Sequence, residues 1–424
     1  KKLRHNIHSI IPMKRNSKVS APVAKRTSSF SETEESEVEL KTHAADSTKK
    51  EPASFQKVMV RTITASLLSL FYLGLLQTGH LYCILSIVLI QTQIFREIVN
   101  VRYSSAKERE MPYFRSLQWA WFVVAMIFVY GDTFHRFCTE HRSLTHLLWI
   151  TKHLDTIVYG LYWVTFMTSV LTLRPGMIRF QLSQHMWSIV TVCIVVFQSK
   201  FFALNTLNGL FWFFFPFATV IMNDVSAYFT GITCGRRFIS APFLALSPNK
   251  TWEGFIGACI MTIIFSFFFP ALLAQFSWFT CPAEGLYIWP FPPALTCTPN
   301  PVFALTEINL PYIGPTLLYP IQFHGLAYGL FASLVAPFGG FFASAIKRAY
   351  NKKDFDSFMP GHGGMMDRMD CQLLMNTFNA FYYFTFIASS ALTVDKMLFL
   401  AGQMTPENQQ ILWQELGKQI GSLQ

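Results

Sequence analysis

The sequence predicts an all-α, polytopic membrane protein of about nine spans. Three observations carry that prediction. The 424 residues are 52% hydrophobic but only 14% charged, against about 25% charged in soluble domains. Forty-three phenylalanines exceed what one ordinary soluble core can use. Apolar runs of close to 20 residues, the length that crosses a bilayer, recur from residue 62 onward with basic residues gathered in the loops between them.

Residues 1–60 are polar and poor in aromatics, so they read as a disordered tail. Its "SFSETEESEVEL" is either a solvated linker or a phosphorylated segment. Spans are then expected near residues 62–78, 81–99, 117–134, 154–173, 180–197, 205–222, 255–276, 324–346 and 373–393. The chain divides into an N-terminal set of membrane helices, 61–200, and a C-terminal region, 201–424, that carries the chemically richer loops. "TPENQQILWQELGKQIGSL" closes the chain as a short amphipathic helix outside the bilayer.

The distribution of Lys and Arg orients the spans. With nine spans, the basic tail shares one side with four loop groups. These are Arg102, Lys107, Arg109 and Arg115; Arg174 and Arg179; Arg236, Arg237 and Lys250; and Lys347, Arg348, Lys352 and Lys353. That side is expected to be cytosolic. The loop 277–323 has no Lys or Arg and falls on the opposite, lumenal side, while Arg136, Arg142 and Lys152 run against the pattern. Cys281 and Cys297 share the lumenal loop, as a disulfide in an oxidising compartment or as two separate thiols. The net charge of +10 suits anionic headgroups or phosphorylated ligands. It does not suit nucleic acid, because no basic surface lies beyond the spans and their short loops.

Polar residues beside spans mark candidate sites. "KRAYNKKDFDSFMPGHGGMMDRMD", residues 347–370, packs five Lys/Arg, four Asp, one His and three Gly into one loop. Asp367 and Asp370 share a helix face. Two carboxylates there repel unless a cation lies between them, and Mg²⁺ suits such oxygen donors; a solvated acidic helix start is the other reading. Gly363 and Gly364 let backbone N–H groups approach an anion. His362 can donate to phosphate or carry a proton. In residues 222–258, Asp224 ends an apolar run beside Asn223, and Ser247-Pro248 reads as a helix cap with Lys250 close to the helix start.

These residues resemble the signature of the phosphatidate cytidylyltransferases, or CDP-diacylglycerol synthases. The matching positions are Ser344, Lys347, Arg348, Lys353, Asp354, Pro360, His362, Gly363, Gly364, Asp367, Arg368 and Asp370. "SPNKTWEG" and "NDVSAY" resemble two further family segments. Asp356 and Met359 depart from the pattern. The likeness is nearest to eukaryotic endoplasmic-reticulum members and implies a helical homodimer using Mg²⁺, with room for a second cation. It implies the reaction of CTP with phosphatidic acid to give CDP-diacylglycerol and pyrophosphate, on the cytosolic side, for phospholipid synthesis. Asp367, Asp370, Asp224 and Asp354 would then hold metal. Lys347, Arg348, Lys250, Arg368 and His362 would act on phosphates, and Ser344, Asn223, Ser247, Lys353, Gly363 and Gly364 would bind substrate. A transporter of an anionic lipid or phosphorylated solute is the alternative, although the two polar stretches are not an internal repeat. A lipid-surface scaffold is another. The repeated Asp-Gly pattern of the CDP-alcohol phosphotransferases is absent.

Overall fold

The computed structural model describes residues 55–102, 113–241, 243–244, 250–283, 285–289, 297, 299–310, 314–359, 363–388, 397–398, 401–402 and 404–421. The expected tail therefore lies outside the described residues as far as 54, as do His362 and Ser247. From Phe55 the chain is helical.

Twelve longer helices are described: α1 (Phe55–Gln77), α2 (His80–Val101), α3 (Phe114–Glu140), α4 (Leu154–Leu171), α5 (Ile178–Val192), α6 (Gln198–Leu207), α7 (Leu210–Thr233), α8 (Trp252–Leu273), α9 (Pro320–Leu334), α10 (Pro337–Ala349), α11 (Met366–Tyr382) and α12 (Pro406–Gly421). Among the described residues, a single antiparallel hairpin, β1 (Thr306–Leu310) with β2 (Gly314–Leu318), lies between α8 and α9. Seven segments among the described residues are long and apolar enough to cross a membrane: α2, α3, α4, α5 joined to α6, α7, α8, and α9 joined to α10. The fold is thus the all-helical, polytopic one expected. Two of the nine expected spans form helices outside that set. In α1 the described apolar stretch is short, Ser66–Gln77. In α11 the sequence is interrupted by Asp367, Arg368, Asp370, Gln372, Asn376 and Asn379.

Three boundaries moved, each for a local reason. A π-helical turn, Cys193–Phe197, carries α5 into α6, so that span runs on to Leu207. Gly209 then breaks the chain with a φ of 129°, a conformation glycine adopts freely. A Cβ there would press on the carbonyls of Phe279 and Cys281. The sixth span therefore starts at Leu210, and Asp224 stands inside α7 rather than at its end. Pro337 opens a new helix within the eighth span, as a residue without an N–H does best at a first turn.

Helix α8 starts at Trp252, later than the Ser247-Pro248 pair suggested, because Thr251 is the cap: its side chain accepts from Gly254 N. Packing of α8 against α9 is unusually close. A Cβ on Gly325 or Gly329 would collide with Ser266, so the two backbones meet almost directly. Most polar side chains on the buried face of α11 bond to its neighbours, while Asn376 Nδ2 has no partner among the described residues. Asn379 donates to the Trp212 carbonyl and accepts from Tyr328, Asn205 donates to Asn376, and Gln372 donates to the Phe217 carbonyl. Each bond replaces one that water would otherwise supply.

The loop after α8 closes one end of the bundle. Trp278 donates to the Leu76 carbonyl, and Ala283 N to the Leu207 carbonyl. Arg136, which ran against the charge pattern, is held at 2.8 Å by Glu140 and also donates to the Ala283 carbonyl; Glu140 in turn accepts from Leu286 N. A paired arginine at a helix end costs far less than a free one. Cys281 and Cys297 form a disulfide with Cα atoms 5.8 Å apart. Reducing it, or replacing both cysteines with serine, is expected to cost about 3 kcal/mol for a closed loop of this size. Thermal unfolding with and without reductant checks this, and ligand affinity at the basic end should be unchanged.

Candidate functional site

The loop that joins α10 to α11 runs from the basic last turn of α10 to a helix start that meets Glu97 of α2. The last turn of α10 presents Lys347, whose Nζ lies 2.5 Å from Asp367 Oδ1. Only 13% of the lysine side chain and 4% of the aspartate side chain are exposed. The other carboxylate oxygen, Asp367 Oδ2, accepts from Phe355 N at 3.1 Å and Gly364 N at 3.0 Å. Asp367 thus ties both ends of the loop to α10.

The glycine turn is equally occupied. Gly363 sits at φ 81°, and its N–H and carbonyl pair with Met359. Met359, one of the two departures from the family pattern, is buried there. Asp356, the other, accepts from Ser357 N. Beyond the turn, Met365 N and Met366 N each donate at 2.8 Å to the carboxylate of Glu97, which reaches across from α2. The N–H groups of residues 363–366 therefore meet groups of this chain's own, and Gly364 stands where a Cβ would lie 2.6 Å from Glu97 Oε2.

Asp370 has a different environment. It is one turn further along α11, ahead of the ninth expected span, and its carboxylate rests beside Gly340 of α10. Oδ1 accepts from Cys371 N at 2.7 Å. Burial, with the negative charge of Asp224 added, pushes its carboxyl from the usual 3.8 up to about 6, against the lowering by that hydrogen bond. Asp224 is exposed on α7 and has no hydrogen bond or ion pair among the described residues. Lys250 and Arg368 both act on it electrostatically. Asn223, its neighbour, is buried and accepts from Thr262 of α8 at 3.3 Å.

The remaining expected residues are more peripheral. Arg348 is exposed and donates to the Lys352 carbonyl. Lys353 and Asp354 are exposed, with Asp354 Oδ1 close to Gly363, and Ser344 is half-buried on α10. Two organising residues were missed. Glu97 stood out as a charge in an apolar run, which is itself a functional signal. Glu253 accepts from Arg236 N, Phe238 N and Ile239 N, and so fixes the "GRRFI" turn; no spacing rule points to it.

Among the described residues, no three His, Cys, Asp or Glu side chains come together as a complete metal cage. Asp224 and Asp370, whose negative charges act on one another, offer oxygen donors only. Mg²⁺ fits that donor set, since it is commonly bound by one or two carboxylates with substrate phosphates and waters completing the shell.

Fold and site together define a polytopic helical membrane protein with an acidic pair and several cations at one end of its bundle. The chain belongs to the cytidylyltransferase family, whose model matches residues 59–386. It is 37% identical over 395 residues to a probable phosphatidate cytidylyltransferase of Dictyostelium discoideum, covering 87% of this chain and 79% of that protein. It is 38% identical over 351 residues to the phosphatidate cytidylyltransferase of Saccharomyces cerevisiae, covering 80% and 75%. It is likewise 38% identical over 334 residues to phosphatidate cytidylyltransferase 1 of Homo sapiens, covering 77% and 71%.

Proposed function

We propose that this chain is a phosphatidate cytidylyltransferase, joining CTP and phosphatidic acid into CDP-diacylglycerol with release of pyrophosphate. Beside the family membership, the observation that carries the reading is the electrostatic coupling of Asp224 with Asp370, with Lys250 and Arg368 acting on the first and Lys347 on the second. A lipid phosphate oxygen forms the new bond to the α-phosphorus of CTP while the bond from that phosphorus to the α–β bridging oxygen breaks, and that oxygen leaves with pyrophosphate. A phosphomonoester with a second pKa of about 6 is already largely ionised, so no strong base is needed. The barrier is instead one of bringing two anions together, and fixed positive charge lowers it.

Lys250 and Arg368, the cations that act on Asp224, would neutralise the triphosphate. Lys347 is committed to Asp367, so its first duty is to hold the loop. Gly363 and Gly364 give room for the protein's own carboxylates, and Asp354, Ser344, Asn223, Lys353 and Arg348 support the surrounding surface. Asp224 and Asp370 would hold Mg²⁺, with space for a second cation; when bound, the ion supplies charge neutralisation on the phosphate oxygens. Cytosolic placement of this end in the endoplasmic reticulum follows the basic loops, and pairing into a homodimer follows the family likeness. The product would feed phosphatidylinositol and related phospholipid synthesis.

The test is an assay of purified full-length protein for pyrophosphate release from CTP. Release that requires both phosphatidic acid and Mg²⁺, with a liponucleotide as product, is expected. Vesicle uptake of either substrate with no liponucleotide formed would replace the enzyme by a transporter.

A further inference from the structure

We propose that Glu97 of α2 is a positioning residue for the reaction: it anchors the first turn of α11 and thereby sets where Asp370 points. This rests on the functional reading above. The side chain is unusual for a membrane helix, an acid left only 1% exposed. Both oxygens are used, Oε1 by Met365 N and Oε2 by Met366 N, each at 2.8 Å, with Gln93 Nε2 adding a third donor to Oε1 at 3.3 Å. Those two N–H groups sit at the start of α11, where the helix has no partners of its own and where its dipole favours negative charge. Glu97 takes the place that an anionic ligand would otherwise take at such a terminus.

The anchor has a short lever. Met366 is one helical turn before Asp370, and Asp367 follows it directly. Gly364 leaves no gap between the turn and the carboxylate. Asp367 and Lys347 fix the loop to α10, whereas Glu97 fixes it to α2, a helix from the other half of the chain. Two anchors at right positions define the orientation of the turn, and displacements of about 1 Å in supporting groups are enough to impair catalysis. Glu97 is enclosed and saturated, so it does not itself meet substrate.

The test uses the full-length protein in detergent with three variants. Glu97→Gln keeps the volume but turns one acceptor into a donor facing a backbone N–H. It is expected to lower kcat by about tenfold or more, as loss of supporting partners does, with KM for CTP and phosphatidic acid within about twofold. Hydrogen exchange in the peptide spanning residues 355–370 should accelerate. Glu97→Asp, which keeps the charge on a shorter stem, should recover part of kcat. Phe95→Leu thins the packing of α2 against Trp119 and Phe122 of α3, in a core cluster that holds no residue of the α11 turn; it should lower Tm and leave kcat largely intact. A Glu97→Gln protein with unchanged kcat, or with unchanged exchange in that peptide, would overturn the proposal. So would a Phe95→Leu protein that loses kcat to the same extent at the same Tm. If the wild type makes no product, the functional reading falls, and the exchange comparison alone decides whether Glu97 anchors α11.

Discussion

Asp370→Asn is expected to lower turnover by at least about a hundredfold, the scale on which a single preorganised electrostatic group acts, while Tm stays level or rises. The sign of the stability effect follows from the site. In the folded protein the Asp370 carboxyl is raised from 3.8 to about 6, first by burial and then by Asp224. A carboxylate with a raised folded pKa disfavours folding once pH exceeds its unfolded value, and that cost is complete above about 6. At pH 7 the neutral amide removes the cost. Retained stability with lost catalysis is the signature of a residue kept for chemistry rather than for folding. The measurements are Tm in detergent and pyrophosphate release at saturating Mg²⁺. An Asp370→Asn enzyme that remains active would take this carboxylate out of the proposed ligand pair.

Asp367→Ala should behave in the opposite way, losing stability by about 3–5 kcal/mol, the cost of stripping one partner from a buried ion pair. Asp367 holds Lys347 and two backbone N–H groups at once. Its removal strands the lysine and releases both ends of the loop, so activity falls with the fold. A double variant, Lys347→Met with Asp367→Leu, should regain part of the stability, because no unpaired charge is left. Unfolding measurements on Lys347→Met, Asp367→Leu and the double decide this. Additive losses would mean that the pair is uncoupled, and a fully stable Asp367→Ala would mean that the loop is held by something else.

These contrasting expectations mark the limit of what the sequence could reveal. Both carboxylates were legible as "DRMD", three residues apart on one helix face, and both looked like metal ligands. Their surroundings differ only in three dimensions, where Lys347 and the loop backbone claim Asp367 while Asp370 is buried and feels the charge of Asp224 on a distant helix. Backbone N–H groups leave no mark in composition or spacing, so the anchoring by Glu97 and Glu253 was invisible even though the acids themselves could be seen. The spans were mostly legible because each is a long apolar run. Their ends were less so: 205–222 was read straight through Gly209, since an apolar stretch remains apolar on both sides of a break.

The near-contact of Gly325 and Gly329 with Ser266 has a mechanical meaning. Two rods with no clearance between them cannot slide past one another without first separating, so α8 and α9 move as one plank. Any opening wide enough to pass a two-tailed lipid toward Asp224 must be made elsewhere in the molecule, and even one added methyl group at either glycine would wedge the plank apart.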